Sequence, residues 1–220
     1  MSLKKSFLRP VMLGAALLVS LPGFALTASG EQNLKQLQSR WAAINYQLPE
    51  AQREAAFEQL AGEAATLLKA EPQAAELLIW RGIILSTWAG AKGGLGALDL
   101  VKQARSAFEQ ALRLDPNALQ GSAYTSLGSL YYQVPGWPIS FGNAERAEEL
   151  LKQALAINPD GIDPNFFYAD FLMGEQRYAE AEAALRKALA APARAGREVA
   201  DAGRRQEARA LLNRLQAQTR

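Results

Sequence analysis

Residues 124–131 read YTSLGSLY, and residues 147–159 read AEELLKQALAINP. In the first stretch, Tyr124, Leu127 and Tyr131 are three, four and seven positions apart, which places them on one face of a helix. In the second stretch, alanines at 147 and 154 flank Leu151 on one face, so a neighbouring helix can approach closely, and Pro159 ends the helix. These two stretches predict a pair of packed helices.

The pattern of the second stretch recurs along the chain. One copy lies before it, and another begins 34 residues after it, with its proline one position early. The copies consist of Ala104, Phe108, Ala111 and Pro116, and of Ala181, Leu185, Ala188 and Pro192. Weaker copies of the first stretch precede both, at 78–85 and 167–172. A fixed period of this length predicts an array of helical repeats.

The paired motifs resemble the tetratricopeptide repeat. The resemblance implies an all-α fold, a right-handed superhelical array (an α-solenoid) of about four antiparallel helix pairs plus a C-terminal capping helix. The predicted division is an atypical helix pair at 26–73, repeats at 74–117, 118–160 and 161–193, and the capping helix at 194–220. An atypical first pair is expected at the end of a repeat array.

The first 25 residues have the three parts of a secretory signal peptide. Lys4, Lys5 and Arg9 precede an apolar run over 11–21, and Gly23-Phe24-Ala25 offers small residues for cleavage. This pattern predicts a cleavable signal peptide at 1–25 and a periplasmic protein without a stable membrane span. An uncleaved membrane anchor is the alternative.

Composition narrows the possible functions. Among 220 residues there is no cysteine and no histidine, which excludes thiolate nucleophiles, zinc sites of the usual kind and the commonest general base. We therefore expect no enzyme, no cofactor and no metal. Three of the 24 basic residues lie in 1–25, so the remainder carries 21 against 22 acidic residues, and nothing in this balance indicates nucleic-acid binding.

Two repeats carry an insertion between their helices. The first, 89–96, is rich in glycine and follows Trp88; the second, 134–142, reads VPGWPISFG and contains Trp137, Pro138 and Phe141. Because the insertions belong to adjacent repeats, we expect them to be neighbours. They form either a partner or ligand contact or, for Trp137 and Phe141, local core.

The chain has two candidate functions. The first is a scaffold that binds another envelope protein or peptide in a concave groove, with Arg81, Tyr132, Asn165 and Asp170 as groove residues. The second is a small-molecule binder whose insertions close a pocket around Trp88 and Trp137. The loop at 135–142 also resembles that of periplasmic T-components of TRAP transporters, which implies an accessory to a solute-binding protein.

The C-terminal segment is rich in arginine. Residues 194–220 carry seven arginines, at 194, 197, 204, 205, 209, 214 and 220. They form either a site for an anion, a lipid headgroup or an acidic partner, or the solvated face of a terminal helix. Upstream, Asp163 before Pro164 predicts a helix N-cap.

Overall fold

The computed structural model describes residues 26–218. They form nine α-helices and no strand, apart from an isolated bridge between Gly136 and Gly142. The helices are α1 (Ala28–Gln47), α2 (Glu50–Ala70), α3 (Ala75–Lys92), α4 (Ala97–Leu114), α5 (Ala118–Gln133), α6 (Ala144–Ile157), α7 (Ile162–Gly174), α8 (Tyr178–Ala190) and α9 (Glu198–Gln218). The predicted all-α fold is confirmed.

The first eight helices pack as four consecutive pairs. Each odd-numbered helix packs on the even-numbered helix that follows it, and α1, α3, α5 and α7 also contact one another in that order. The odd-numbered helices therefore form one continuous layer, and the solenoid of four pairs plus a C-terminal helix is confirmed. The division of the chain into individual repeats stays a prediction.

The glycines of the motif permit close helix contact. A Cβ atom on Gly82 of α3 would overlap the Phe108 ring of α4, and one on Gly128 of α5 would lie 2.8 Å from Leu151 Cγ of α6. Phe108 and Leu151 are both fully buried. The large residue of one helix therefore occupies the space left by the glycine of its partner.

The start of α7 differs from the prediction. The N-cap is Gly161, and the helix begins at Ile162, so the N-cap assignment of Asp163 is wrong. The Asn165 side-chain amide donates to the carbonyl oxygens of Pro159 and Gly161, both at 2.8 Å, and so supports this earlier start. Asp163 is thereby free to pair with arginines further along the chain.

Helix α9 joins the two ends of the array. It packs on α8 and α7, as a capping helix should, and it also packs on α1. A Cβ atom on Gly203 would overlap the Tyr46 ring, and the Tyr46 hydroxyl donates to Glu207 at 3.4 Å. The contact with α1 was not predicted, and it makes the array a closed ring of helices.

The predicted signal peptide, 1–25, lies outside the described residues. Within residues 26–218, no helix has both the length and the apolarity needed to cross a membrane.

Candidate binding cavity

A cavity of about 750 Å³ lies on the inner face of the helix array. Its walls come from α1, α3, α5 and α7, the start of α2, the segment between α8 and α9, and α9 itself. On α3 the lining residues Trp80, Ile83 and Thr87 follow one another at three and four positions, so they form one helical stripe. The cavity is therefore the concave surface of the solenoid, closed on one side by α9.

The α5 wall is polar. Ser122, Ser126, Ser129 and Gln133 line the cavity at spacings of four, three and four. Serine is an indifferent helix former because its hydroxyl competes for backbone hydrogen bonds. Helix propensity therefore does not explain why serines occur here. Their hydroxyls line the cavity and can form hydrogen bonds with a bound molecule.

The part of the wall formed by α1 and α3 is aromatic. Trp41 and Trp80 meet edge to face, with ring centroids 5.7 Å apart. The Trp41 Nε1 donates to the Thr87 hydroxyl at 2.9 Å, which fixes the orientation of the indole. These contacts give the cavity a rigid apolar surface beside the hydroxyl stripe.

An ion-pair network fixes α9 against α7. Asp163 accepts from Arg204 Nε at 2.8 Å and from Arg194 at 2.7 Å. Arg194 also pairs with the buried Asp201 at 2.5 Å, and Arg204 with Glu207 at 2.6 Å. Burial alone would raise the pKa of Asp163, but the two guanidinium groups outweigh it and lower the pKa to about 2. The carboxylate is thus ionised and anchors the C-terminal helix.

Arg197 also lines the cavity but has no such partner. Its Cζ lies 4.9 Å from the Trp80 ring centre, in a cation–π contact. Its Nε is buried without a hydrogen bond, and no acidic group among residues 26–218 pairs with it. Burial, followed by repulsion from Arg194, lowers the pKa of this guanidinium. The cavity therefore contains one arginine that forms no ion pair within the described part of the chain.

A left-handed turn forms part of the cavity wall. Leu119, Gln120 and Gly121 have φ values of 48°, 57° and 74° at the start of α5. For leucine and glutamine this conformation costs about 1–2 kcal/mol each. The first two residues line both the main cavity and a neighbouring cavity of about 210 Å³. Strained backbone of this kind concentrates at binding sites.

The loop at 134–142 divides its aromatic residues between core and solvent. Phe141 packs edge to face on Tyr131 at 5.4 Å and lies under Arg105 at 4.9 Å. Trp137 is 88% exposed, and Pro138 beside it is exposed too. The local-core interpretation thus describes Phe141, whereas Trp137 and Pro138 are available for contact.

The pocket expected around Trp88 and Trp137 is not the observed cavity. Neither indole lines it. Trp88 is half-buried, packs on the core and has Lys92 5.9 Å from its ring centre. A ligand contact at Trp88 and Trp137 stays a prediction.

The four predicted groove residues do not line the cavity either. Asn165 is only 2% exposed and is used in the turn before α7, so it makes no groove contact. The Tyr132 hydroxyl donates to Asp170 at 2.8 Å, which joins α5 to α7. Burial, then the nearby Asp170 carboxylate, raises the pKa of Tyr132 well above its ordinary value. Arg81 is half-buried and lies one position past the lining residue Trp80.

The sequence analysis named three arginines that line the cavity, 194, 197 and 204, as a possible anion site. It did not identify Trp41, Ser122, Ser126 or Ser129 as cavity residues. The signal that was present is the serine stripe at helical spacing on α5, together with arginines 194, 197 and 204 at spacings of three and seven. Their convergence depends on α9 returning to α1, which no local pattern indicates.

Comparison with known proteins identifies the repeat. Residues 139–202, which span α6 to the start of α9, match the tetratricopeptide repeat model. None of the curated protein sequences matches the chain.

Two of the solved structures that are similar to the chain show the degree of similarity. One is a thermophilic tetratricopeptide-repeat protein of Thermus thermophilus, with 21% identity and a TM-score of 0.41 over 81% of this chain and 98% of that one. The other is pilF of Pseudomonas aeruginosa, with 14% identity and a TM-score of 0.35 over 86% of this chain and 91% of that one. The assignment of the repeat therefore depends on the family match and not on these two structures. Residues 139–202 match the tetratricopeptide repeat, and the consecutive helices on either side of them continue the same all-α array.

Proposed function

We propose that this chain is an exported, non-enzymatic adaptor that binds another protein of the cell envelope. Tetratricopeptide repeats suggest a protein-interaction scaffold, and this is the function class that the fold supports. Export to the periplasm is proposed from the signal-peptide pattern at 1–25.

The observation that carries the proposal is the exposed tip of the loop at 134–142. Trp137 and Ile139 are 88% and 61% exposed, and Pro138 lies between them. An exposed tryptophan flanked by apolar residues is unfavourable in water, and tryptophan is among the side chains most enriched at binding hot spots. This tip therefore has the character of an anchor for a partner.

The loop is ordered before any partner binds. The amide of Gly142 donates to the Pro135 carbonyl at 2.9 Å, and the amide of Asn143 donates to the Tyr131 carbonyl at 2.8 Å. Phe141 holds the other side of the loop on the core. Because little conformational entropy is left to lose, binding through Trp137 incurs a smaller ordering cost than a flexible loop would.

The closed ring argues against an extended peptide along the whole concave surface. Helix α9 lies across that surface, with Gly203 against Tyr46. A groove open from end to end would require this contact to break. The exposed tip of the 134–142 loop is therefore a better contact surface for a folded partner than the concave groove is. The resemblance to TRAP T-components would make that partner a solute-binding protein, but neither the repeat match nor the similar structures supports this identity.

In-cell photo-crosslinking tests the adaptor proposal. The full chain is produced with benzoylphenylalanine at position 137, and a control carries it at the exposed position 153 on α6. We expect a light-dependent crosslinked species from position 137 alone, identified by mass spectrometry of the conjugate. Equal crosslinking from both positions, or none from position 137, would contradict the proposed contact.

Cell fractionation and N-terminal sequencing test the proposed export. We expect the protein in the periplasmic fraction with Leu26 as its first residue. A full-length chain retained in the membrane fraction would support the uncleaved anchor instead.

A further inference from the structure

Four arginines and three acidic residues line the cavity. Its arginines are 53, 194, 197 and 204, and its acidic residues are Glu50, Asp163 and Glu207. Arg194 and Arg204 are used in the network that holds α9. Arg53 donates its Nε to the Leu48 carbonyl at 2.9 Å. Arg197 alone among these arginines has neither an ion pair nor a side-chain hydrogen bond within residues 26–218.

A guanidinium without an ion pair in the cavity wall is expected to bind an anionic group. Burial of a charge is unfavourable unless it is paired and hydrogen-bonded. The ring face of Trp80 lies against the guanidinium of Arg197 and orients it. The N–H groups of the guanidinium point outward in its own plane, so the ring cannot accept hydrogen bonds from them as a carboxylate can. Among the described cavity residues, Arg197 Nε is the buried side-chain nitrogen without a hydrogen bond, and no ion pair within residues 26–218 uses the terminal nitrogens of this guanidinium.

The size and walls of the cavity define the class of ligand. A volume of about 750 Å³ lies within the range of small-molecule sites. Trp41, Trp80 and Ile83 supply an apolar surface, and Ser126 and Ser129 on the neighbouring helix α5 supply hydroxyls. A guanidinium binds a planar carboxylate through two parallel hydrogen bonds.

We propose that the cavity binds a small organic carboxylate, with its carboxylate group on Arg197 and an apolar or aromatic body against Trp41 and Trp80. One unpaired cation matches one anionic group. The α9–α1 contact favours a molecule small enough to be enclosed over a protein segment that must pass through the ring. This site is distinct from the Trp137 loop and does not depend on the adaptor proposal.

Calorimetric titration of the mature protein, residues 26–220, tests the proposal. The probes are 3-phenylpropionate and octanoate, each compared with its neutral amide, and phenyl phosphate as a second anion. The variants are Arg197→Met, which keeps the apolar stem, and Arg197→Lys, which keeps the charge but loses the planar guanidinium that can donate two parallel hydrogen bonds. Arg209→Met is the matched control, because Arg209 lies on α9, the helix that follows Arg197, and is exposed.

For the wild-type protein and the Arg209→Met control, we expect at least one carboxylate probe to bind about ten-fold or more tightly than its amide, as a charge-assisted bidentate pair allows. Arg197→Met removes this preference, and Arg197→Lys retains only part of it. Thermal melting in the absence of probe separates ligand binding from stability, since a residue without ion pairs is expected to leave the melting temperature of Arg197→Met close to that of the wild type. Trp137→Ala is expected to bind the probes as the wild type does.

Several outcomes would overturn the carboxylate site. These are equal affinity for carboxylates and amides, unchanged carboxylate binding by Arg197→Met, and no measurable binding of either carboxylate. Preference for phenyl phosphate over both carboxylates would reject the carboxylate class. Binding only of an extended acidic peptide would replace the small-molecule site with a protein-segment site.

Discussion

Replacing Asp163 with asparagine removes the shared carboxylate of the network between α7 and α9. In the folded chain this carboxylate accepts from Arg204 Nε at 2.8 Å and from Arg194 at 2.7 Å. Its side chain is 29% exposed, and that of Arg204 is 11% exposed. Asparagine keeps the size of the side chain but leaves both guanidinium groups without this counter-charge.

The pKa of Asp163 in the folded chain gives the size of the expected loss of folding stability. Asp163 falls from its ordinary pKa of 3.8 to about 2, and each pKa unit corresponds to about 1.36 kcal/mol. The loss at neutral pH is therefore about 2.5 kcal/mol, somewhat below the ~3–5 kcal/mol for breaking a fully buried pair. For a chain of this length, that corresponds to a fall in melting temperature of roughly 5–10 °C.

The pH dependence follows from the sign of the shift. Because the pKa is lower in the folded state, the contribution is complete above about pH 5 and is lost as pH falls towards 2, with about half remaining at pH 3. Urea unfolding of wild type and Asp163→Asn at pH 7, 5 and 3 measures this difference directly. Hydrogen exchange over 198–218 reports whether α9 loosens first.

Asp160→Asn is the matched control, because Asp160 is exposed in the same segment. We expect its free energy of unfolding to stay within about 0.5 kcal/mol of the wild type. A difference below about 1 kcal/mol for Asp163→Asn at pH 7, or a difference that does not shrink at pH 3, would refute the electrostatic anchoring of α9.

Three further predictions concern the contact between α9 and α1 and the loop at 134–142. Gly203→Ala places a Cβ against the Tyr46 ring, so we expect a loss of about 1–3 kcal/mol by urea unfolding and faster hydrogen exchange in α9; wild-type stability would show that α9 does not pack on α1. Burial raises the pKa of Tyr46 to about 12, so the contribution of the neutral phenol to folding stability is intact below pH 10 and is lost as pH rises through 12. Between pH 10 and 12 the free energy of unfolding should therefore fall less for Tyr46→Phe than for the wild type, and parallel plots of that free energy against pH would reject this prediction. Phe141→Ala should lower stability by about 1–2 kcal/mol because its ring packs on Tyr131, whereas Trp137→Ala should change it by less than about 0.5 kcal/mol; thermal melting compares them, and the reverse order would place Trp137 in the core.

The binding features were only partly predictable from the sequence. The loop at 134–142 was recognised because two prolines and several large apolar residues interrupt the helical periodicity, and Trp137 is exposed there. Asn165, chosen as a groove residue because it lies off the apolar stripe, instead binds two backbone carbonyls in the preceding turn. Polar residues near helix ends satisfy local backbone groups as readily as they face a groove, and sequence spacing alone does not distinguish these roles.

The sequence by itself determined the helices and their pairing, because a period of three and four, small residues at fixed positions and a terminal proline act over a few turns of chain. It also determined that the repeats stack, since no single pair can bury its apolar face. Only the tertiary structure decided that α9 returns to α1 and closes the cavity. That closure depends on groups as far apart as Tyr46 and Glu207, which are 161 positions apart. Contacts over such distances arise from the curvature accumulated over four helix pairs, and they leave no periodic signal in the chain. The same curvature brings Arg197 over Trp80, and with it the unpaired cation that defines the proposed carboxylate site.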